Sequence, residues 1–520
     1  VSGAAPGPGR RAVSVRDWVG FLTMVVGMFM AILDIQIVSS SLAEIQAGLS
    51  ASSDEISWVQ TSYLIAEVIM IPLSGFLSRL LSTRVLFVIS AVGFTLMSFA
   101  CAWASSIEAM IVFRSLQGFL GGAMIPTVFA TSFSLFPAEK RAGVSVVIGL
   151  VATMAPTLGP TLGGWLTQNF SWQWLFLINI VPGILVTSLV WLLVDIDRGD
   201  RSLLRGFDWT GLVTMATFLG SLEYVVEEGP RQDWFADTSI LVFTLVTAVA
   251  GLAFFVRVLT AANPIVDLRA FTDRNFAIGS LFSFILGIGL YGAVYLMPLF
   301  LGRVRGYNSL QIGEVMFVTG AFQFLSAPVA GALSRKLDLR LMLACGLALF
   351  GFGVWLNARI TAEASFNELF LPQAIRGFAL MFCFIPINTL ALGTLSPAKL
   401  KNASGLYNLT RNLGGAIGLA LINTLLQNRE ALHRSRMADH LTLARPELRD
   451  FLDQVAAGFS DLPAGDGQAA AVRVLAGLAQ TQVMVLTFND CLMAMAGVFA
   501  LALLVMPLVR KPAHISDAGH

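Results

Sequence analysis

Charge is scarce in this chain. Asp, Glu, Lys and Arg make up 12% of its 520 residues, while 56% are hydrophobic and the mean hydropathy is +0.76, values outside the range of water-soluble globular domains. The few charges also balance, with 33 basic and 32 acidic residues leaving a formal net charge of +1. That excludes the dense basic surface that nucleic-acid binding requires. Cysteine is rare: Cys101, Cys345, Cys383 and Cys491 each stand alone in an apolar run. No CxxC or Cys/His spacing is available to hold a metal, and the four read as packed thiols. Histidine is confined to His433, His440, His514 and His520, all outside the long apolar runs, so proton chemistry inside those runs falls to carboxylates. Phosphate-cradling loops and nucleophile motifs are missing, which argues against a membrane enzyme, and the lack of a soluble signalling domain argues against a sensor.

What is abundant is apolar length. A hydrocarbon core of about 30 Å needs about 20 apolar residues of helix to cross it. Runs of that kind predict helices near 18–38, 56–77, 85–104, 109–135, 143–166, 174–195 and 208–227, then 238–258, 275–300, 311–333, 338–358, 369–394, 404–426 and 487–509. The first follows no charged, apolar and small-residue leader pattern and reads as a permanent span. The fold class is therefore all-α and polytopic, with fourteen transmembrane helices. With the N-terminus inside, the inside segments hold 20 Lys and Arg against four in the short outside loops, the asymmetry that sets orientation. Both termini are expected in the cytoplasm. A long outside segment, 428–486, reads as two short amphipathic helices around a turn.

The chain also repeats itself. PLSGFLSRLLSTR ends the second predicted helix and PVAGALSRKLDLR the tenth, so that Pro72, Gly75, Leu77, Ser78, Arg79, Leu81 and Arg84 align without a gap on Pro328, Gly331, Leu333, Ser334, Arg335, Leu337 and Arg340. Two helices on, Arg114 precedes Ile125-Pro126 and Arg376 precedes Ile385-Pro386. This order divides the chain into a tail (1–17), a six-helix bundle (18–196), an inserted helix pair with its linkers (197–274), a second six-helix bundle (275–509) and a tail (510–520). Parallel repeats place a substrate cavity near the bilayer midplane between the halves.

These residues resemble the major facilitator superfamily, in particular its fourteen-helix drug:proton antiporter branch and the EmrB-type pumps. LDIQIVSSSL matches that branch at Leu33, Asp34, Ile37 and Val38, and departs at Gln36 and Ser40. FRSLQGFLGGAMIP carries Arg114, Gln117 and Gly118, and APTLGPTLGGW carries Pro156, Gly159, Pro160, Gly163 and Gly164, the motif associated with antiporters. WQWLFLINIVPG and NLTRNLGGAIG, from Asn408 to Gly418, extend the likeness. The resemblance implies a bacterial inner-membrane antiporter that exports amphipathic small molecules and confers antibiotic resistance. It needs no cofactor beyond a proton gradient, and works with a periplasmic adaptor and an outer-membrane channel. A dedicated exporter of one metabolite or fatty acid is the alternative. Arg79 stands where the superfamily loop usually has Asp, so an acid latch in the N-terminal half is not carried over.

The residues themselves nominate sites, because a charge at the bilayer centre costs about 2.5 to 3.5 kcal/mol. The acids within predicted spans are Asp34, Glu67 and Glu223; the bases are Arg114, Arg376 and Arg411. Asp34 and Arg114 sit at similar depth and are expected to meet, with Asp34 carrying the coupled proton, Arg114 tuning it and Glu67 or Glu223 lining the cavity. Glu227 and Glu228 are expected to be solvated. Gly75, Arg79, Arg84, Gly331, Arg335 and Arg340, with Gly159, Pro160, Gly163 and Gly164, are the expected gating elements. Gln36, Gln117, Arg376, Asn388, Asn408, Arg411 and Asn412 are the remaining cavity candidates, with Arg376 and Arg411 bonded to carbonyls or to the nearby asparagines.

Overall fold

The computed structural model describes residues 13–52, 55–442, 445–459 and 466–509, and its regular secondary structure there is entirely helical. The tail 510–520 and residues 1–12 of the other tail lie outside the described residues, as does most of the predicted turn after Phe459. In chain order the α-helices are α1 (Val15–Ser39), α2 (Leu42–Leu49), α3 (Trp58–Leu81), α4 (Thr83–Ala102), α5 (Ile107–Gly121), α6 (Met124–Leu135), α7 (Ala138–Asn169), α8 (Trp174–Leu177) and α9 (Ile180–Leu193). They continue with α10 (Trp209–Glu228), α11 (Thr238–Thr260), α12 (Arg274–Arg303), α13 (Ser309–Leu333), α14 (Leu339–Asn357), α15 (Phe366–Leu392), α16 (Pro397–His440), α17 (Pro446–Ala457) and α18 (Asp466–Val505).

Twelve helices among the described residues are long and apolar enough to cross a membrane. The two other predicted spans, 208–227 and 404–426, are helical too, in α10 and within α16. Both carry polar groups that lower their hydropathy and are not among the twelve, with Glu223 and Glu227 in one and Asn408, Arg411 and Asn412 in the other. The predicted helix 109–135 is divided into α5 and α6 after Gly121-Gly122, a step at which helix propensity is lowest short of proline. The predicted helix 174–195 is divided at Ile178-Asn179 into α8 and α9.

The segment 428–486 differs from its prediction. α17 is one of the two expected amphipathic helices, but the other is the opening of α18, and α16 runs on without a break to His440. The residues after Gln427 extend α16 by about 20 Å at 1.5 Å per residue. Across this hairpin Asp490 of α18 meets His433 Nε2 at 2.9 Å and Arg429 Nε at 3.6 Å. Helical hydrogen bonding satisfies the backbone throughout, so a polar sequence here extends a helix instead of forming a loop.

Two sets of helices pack in matching pairs. α1 lies on α7 as α12 lies on α16; α3 on α5 as α13 on α15; α4 on α9 as α14 on α18. Between the sets, α7 packs on α13 and α3 on α16. Glycines set the closest crossings. A Cβ at Gly118 would stand 2.3 Å from the Tyr63 carbonyl oxygen, and one at Gly377 would stand 2.2 Å from that of Thr319. Tyr63 and Thr319 each lie nine residues before the aligned Pro72 and Pro328, so the two contacts are equivalents. This pairing aligns Arg114 with Gln373 and Gln117 with Arg376, correcting the expected match of Arg114 to Arg376. The inserted α10 packs on α11, α3 and α16, and so bridges the sets at one side.

Because backbone occupies the space beside these glycines, Gly118→Ala should destabilise the protein by about 1 to 3 kcal/mol. The expected result is a lower melting temperature in detergent, with Gly477→Ala, beside which nothing stands within 4 Å, as the neutral comparison.

Candidate functional site: a sealed ion pair behind a shared cavity

Helix α1 is buried along most of its length, and Asp34 sits in that buried run. Its carboxylate accepts from Arg114 Nη1 at 2.6 Å, from Asn179 Nδ2 at 2.8 Å and from Gln117 Nε2 at 3.2 Å. The side chains of Asp34 and Arg114 have no solvent exposure at all. Arg114 is further held by Nε donating to the Val59 carbonyl at 3.1 Å, by Nη1 donating to Gln117 Oε1 at 2.8 Å and by the Tyr63 ring, whose centroid lies 4.2 Å from its guanidinium carbon. A charge in low dielectric persists only when paired and hydrogen-bonded, and these donors supply both conditions. One residue that sequence reasoning missed is Asn179. The break between α8 and α9 places its amide on Asp34, where Ser98 Oγ accepts the second hydrogen at 3.0 Å. Its signal was visible, a lone amide inside the apolar run WLFLINIV.

In front of this cluster lies a cavity of about 630 Å³ lined by both helix sets and by α10. It reaches exposed Ser39, Ser40 and Glu44 and so opens at the end of α1 opposite Val15. Of the nominated residues, Gln36, Glu67, Glu223, Pro160, Gly164 and Asn412 line it. Asp34, Arg114 and Gln117 do not; they are sealed within the first set. Glu227 and Glu228, expected in solvent, also line the cavity, and Glu228 is only 3% exposed. The reason is that α10 leans on α3: Thr61 Oγ1 donates to Glu228 at 2.9 Å, and Arg231 pairs with it at 3.3 Å.

The other candidates lie elsewhere. Arg411 Nη2 donates to Asn408 Oδ1 at 2.5 Å, and its guanidinium stacks on Phe129 and Phe384, away from the cavity. Arg376 Nη2 donates to Thr319 Oγ1 at 3.1 Å instead of to a carbonyl or an asparagine. Asn388 donates across the sets to Ser145 at 3.3 Å. None of these lines the cavity.

At the opposite end, where α3 finishes and α16 begins, the two sets close. Gly75 rests on the backbone of Lys401 and Asn402, and Gly331 on Val146. Three arginines of the repeated motif bond within their own sets: Arg79 Nε caps the Gly75 carbonyl at 3.3 Å, Arg84 pairs with Asp195 at 3.8 Å, and Arg340 pairs with Asp338 at 2.8 Å, whereas Arg335 reaches across, its Nη2 3.7 Å from where a Cβ on Gly143 of α7 would stand. Beside the Asn388–Ser145 bond, the sets are joined here by Lys401, whose Nζ donates to the Ser78 carbonyl at 3.1 Å and to Asp197. Asp197 also accepts from the Thr83 amide at 2.9 Å. An acid is therefore present at this closure after all, supplied by the strand of chain after α9 and not by the motif position that holds Arg79. At the open end, Cβ atoms built on Gly159 and Gly163 would stand 2.3 Å and 2.9 Å from atoms of Gln36 and Ile37, so the α7 motif brings α1 and α7 into backbone contact.

Matched helix sets, a cavity between them and closure at one end define a transporter of the alternating-access type, and the chain belongs to the Major Facilitator Superfamily, whose pattern it matches over residues 24–419. The fold agrees with the proton:xylose symporter XylE at a TM-score of 0.61, with 13% identity and 94% of each chain covered. Among proteins of closer sequence, the colistin resistance protein EmrB of Acinetobacter baumannii is 45% identical over 92% of this chain and 93% of its own length. The multidrug export protein EmrB of Escherichia coli is 31% identical over 96% of each chain, and the fatty acid resistance protein FarB of Neisseria gonorrhoeae is 30% identical over 96% and 97%.

Removing Arg114 leaves Asp34 buried without its counter-charge. Arg114→Ala should cost about 3 to 5 kcal/mol of stability, and the double replacement Asp34→Asn with Arg114→Gln should recover much of the loss in detergent melting experiments.

Proposed function

We propose that this protein is a proton-coupled antiporter that exports amphipathic small molecules by alternating access, acting as a multidrug efflux pump and not as an enzyme. The observation that carries the reading is the pairing of a cavity shared by both helix sets with an ion pair sealed directly behind its wall. Asp34 takes up and gives off the coupled proton, Arg114 holds the vacated charge, and the proton gradient is the only energy source. Glu67 connects the two places. It lies one helical turn from Tyr63 on α3, so the helix that presents a carboxylate to the cavity also carries the ring beneath Arg114. When the sets rock, the Lys401–Asp197 bond and the Gly75 contact part while the α1–α7 end closes.

The placement is a bacterial inner membrane with both termini cytoplasmic, which puts the cavity mouth and the α16–α18 hairpin on the periplasmic side. The hairpin then offers a helical projection on which a periplasmic adaptor can seat, leading on to an outer-membrane channel. The name of the gonococcal relative gives weight to a second reading, a dedicated exporter of fatty acids. Carboxylates on the cavity wall disfavour it, since they repel an anionic guest.

In proteoliposomes with an imposed proton gradient, Asp34→Asn should lower uphill export by about tenfold or more while downhill exchange of the same solute persists. Uphill export that survives the replacement removes Asp34 from the coupling step.

A further inference from the structure

The inserted helix α10 presents carboxylates to the cavity from outside either helix set. Glu223 and Glu227 are one turn apart on it, Glu228 follows, and all three line the cavity, as do Glu67 of α3 and Glu44 of α2. Among the described residues Arg231 is the one lining residue of opposite charge. It lies 43% exposed, and its Nη1 reaches Glu228 at 3.3 Å. A second observation points to a guest. Glu67 is 2% exposed and Gln60 8% exposed, both line the cavity, and Glu67 Oε1 and Gln60 Oε1 accept no hydrogen bond from the described residues. Buried acceptors without donors are costly unless something else supplies the donor or the charge. Around them the wall is apolar and aromatic, with Leu64, Val68, Tyr291, Val294 and Leu299, a surface suited to the face of an organic cation.

The geometry points to an amphipathic-cation site built on α10, in which Glu223, Glu227 and Glu228 line the cavity beside Glu67 of the neighbouring α3 and the Arg231 guanidinium holds Glu228 until a guest cation displaces it. The inserted pair is then a wall of the binding site and not a spacer between the halves. This rests on the export reading for its purpose but not for its test, because the site binds whether or not the chain transports.

The test uses two probes of one shape and opposite charge, tetraphenylphosphonium and tetraphenylborate, titrated onto the full-length purified protein in detergent and read by calorimetry. Tetraphenylphosphonium is expected to bind at least about tenfold more tightly than tetraphenylborate. Glu227→Gln with Glu228→Gln should weaken the cation by about tenfold, and Arg231→Gln should tighten it by a few-fold, the opposite of what loss of a merely structural pair does. Equal or tighter binding of tetraphenylborate, or a cation affinity unmoved by the glutamate replacements, overturns the site. Efflux of the uncharged dye Nile red by wild-type proteoliposomes separates the two readings. Dye export without cation preference sinks the site alone, whereas cation preference without export of either probe sinks the export reading and leaves the site standing.

Discussion

A carboxylate and a guanidinium 2.6 Å apart, with no exposure to solvent, set the terms for the rest of the molecule. Neither charge can persist in that place alone, so the surrounding helices are arranged around the need to keep both partners supplied. α1 brings Asp34, α5 brings Arg114 and Gln117, the break between α8 and α9 brings Asn179, and α3 brings the Val59 carbonyl and the Tyr63 ring. Four separate passages of the first set are fixed to one another by one network, and displacing any of them exposes a buried charge. The glycine at position 118 belongs to the same logic, since it lets α5 approach α3 closely enough for Arg114 to lie on Tyr63.

The second set has no equivalent. Where the first has Arg114 and Gln117, the second has Gln373 and Arg376, and Thr319 stands in place of Tyr63. The scaffolds match, down to the carbonyl that each glycine touches, while among the described residues the sealed carboxylate–guanidinium pair is on one side only, the second set burying Arg376 and Arg411 without an acid partner. In the proposed cycle this asymmetry means that protonation loosens one half while the other acts as a fixed counterpart. The cavity between them receives carboxylates from α3 and from the inserted α10, so a guest at Glu67 and a proton at the pair beside Tyr63 act on the same helix, α3, one turn apart. Coupling between them needs no longer path than that helix.

Much of this was legible in the sequence because the signals were strong and local. Apolar runs of span length, the gapless repeat at Pro72 and Pro328, and a single acid and base at matching depth in Asp34 and Arg114 follow from hydropathy and periodicity alone. What escaped depended on tertiary placement. Glu227 and Glu228 look like a solvated helix end, and only the lean of α10 onto α3 reveals that they are enclosed. Asp197 sits in a polar linker whose sequence gives no hint that it meets Lys401, two hundred residues away. Asn179 acts because a helix breaks there, and boundaries are the least readable feature of a sequence. Polarity after Gln427 suggests a span that ends near 426 and two short helices around a turn beyond it, yet polarity says only that the segment leaves the lipid, not that its helix stops.

The central claim is that the sealed carboxylate of Asp34 exchanges its proton when a guest enters the cavity in front of it. Proton release from the purified protein in weakly buffered detergent, recorded as a guest of fixed charge is added, tests that claim directly. The account predicts a guest-dependent release by the wild type that is absent from Asp34→Asn. An equal release by the variant contradicts it and places the exchanging group elsewhere.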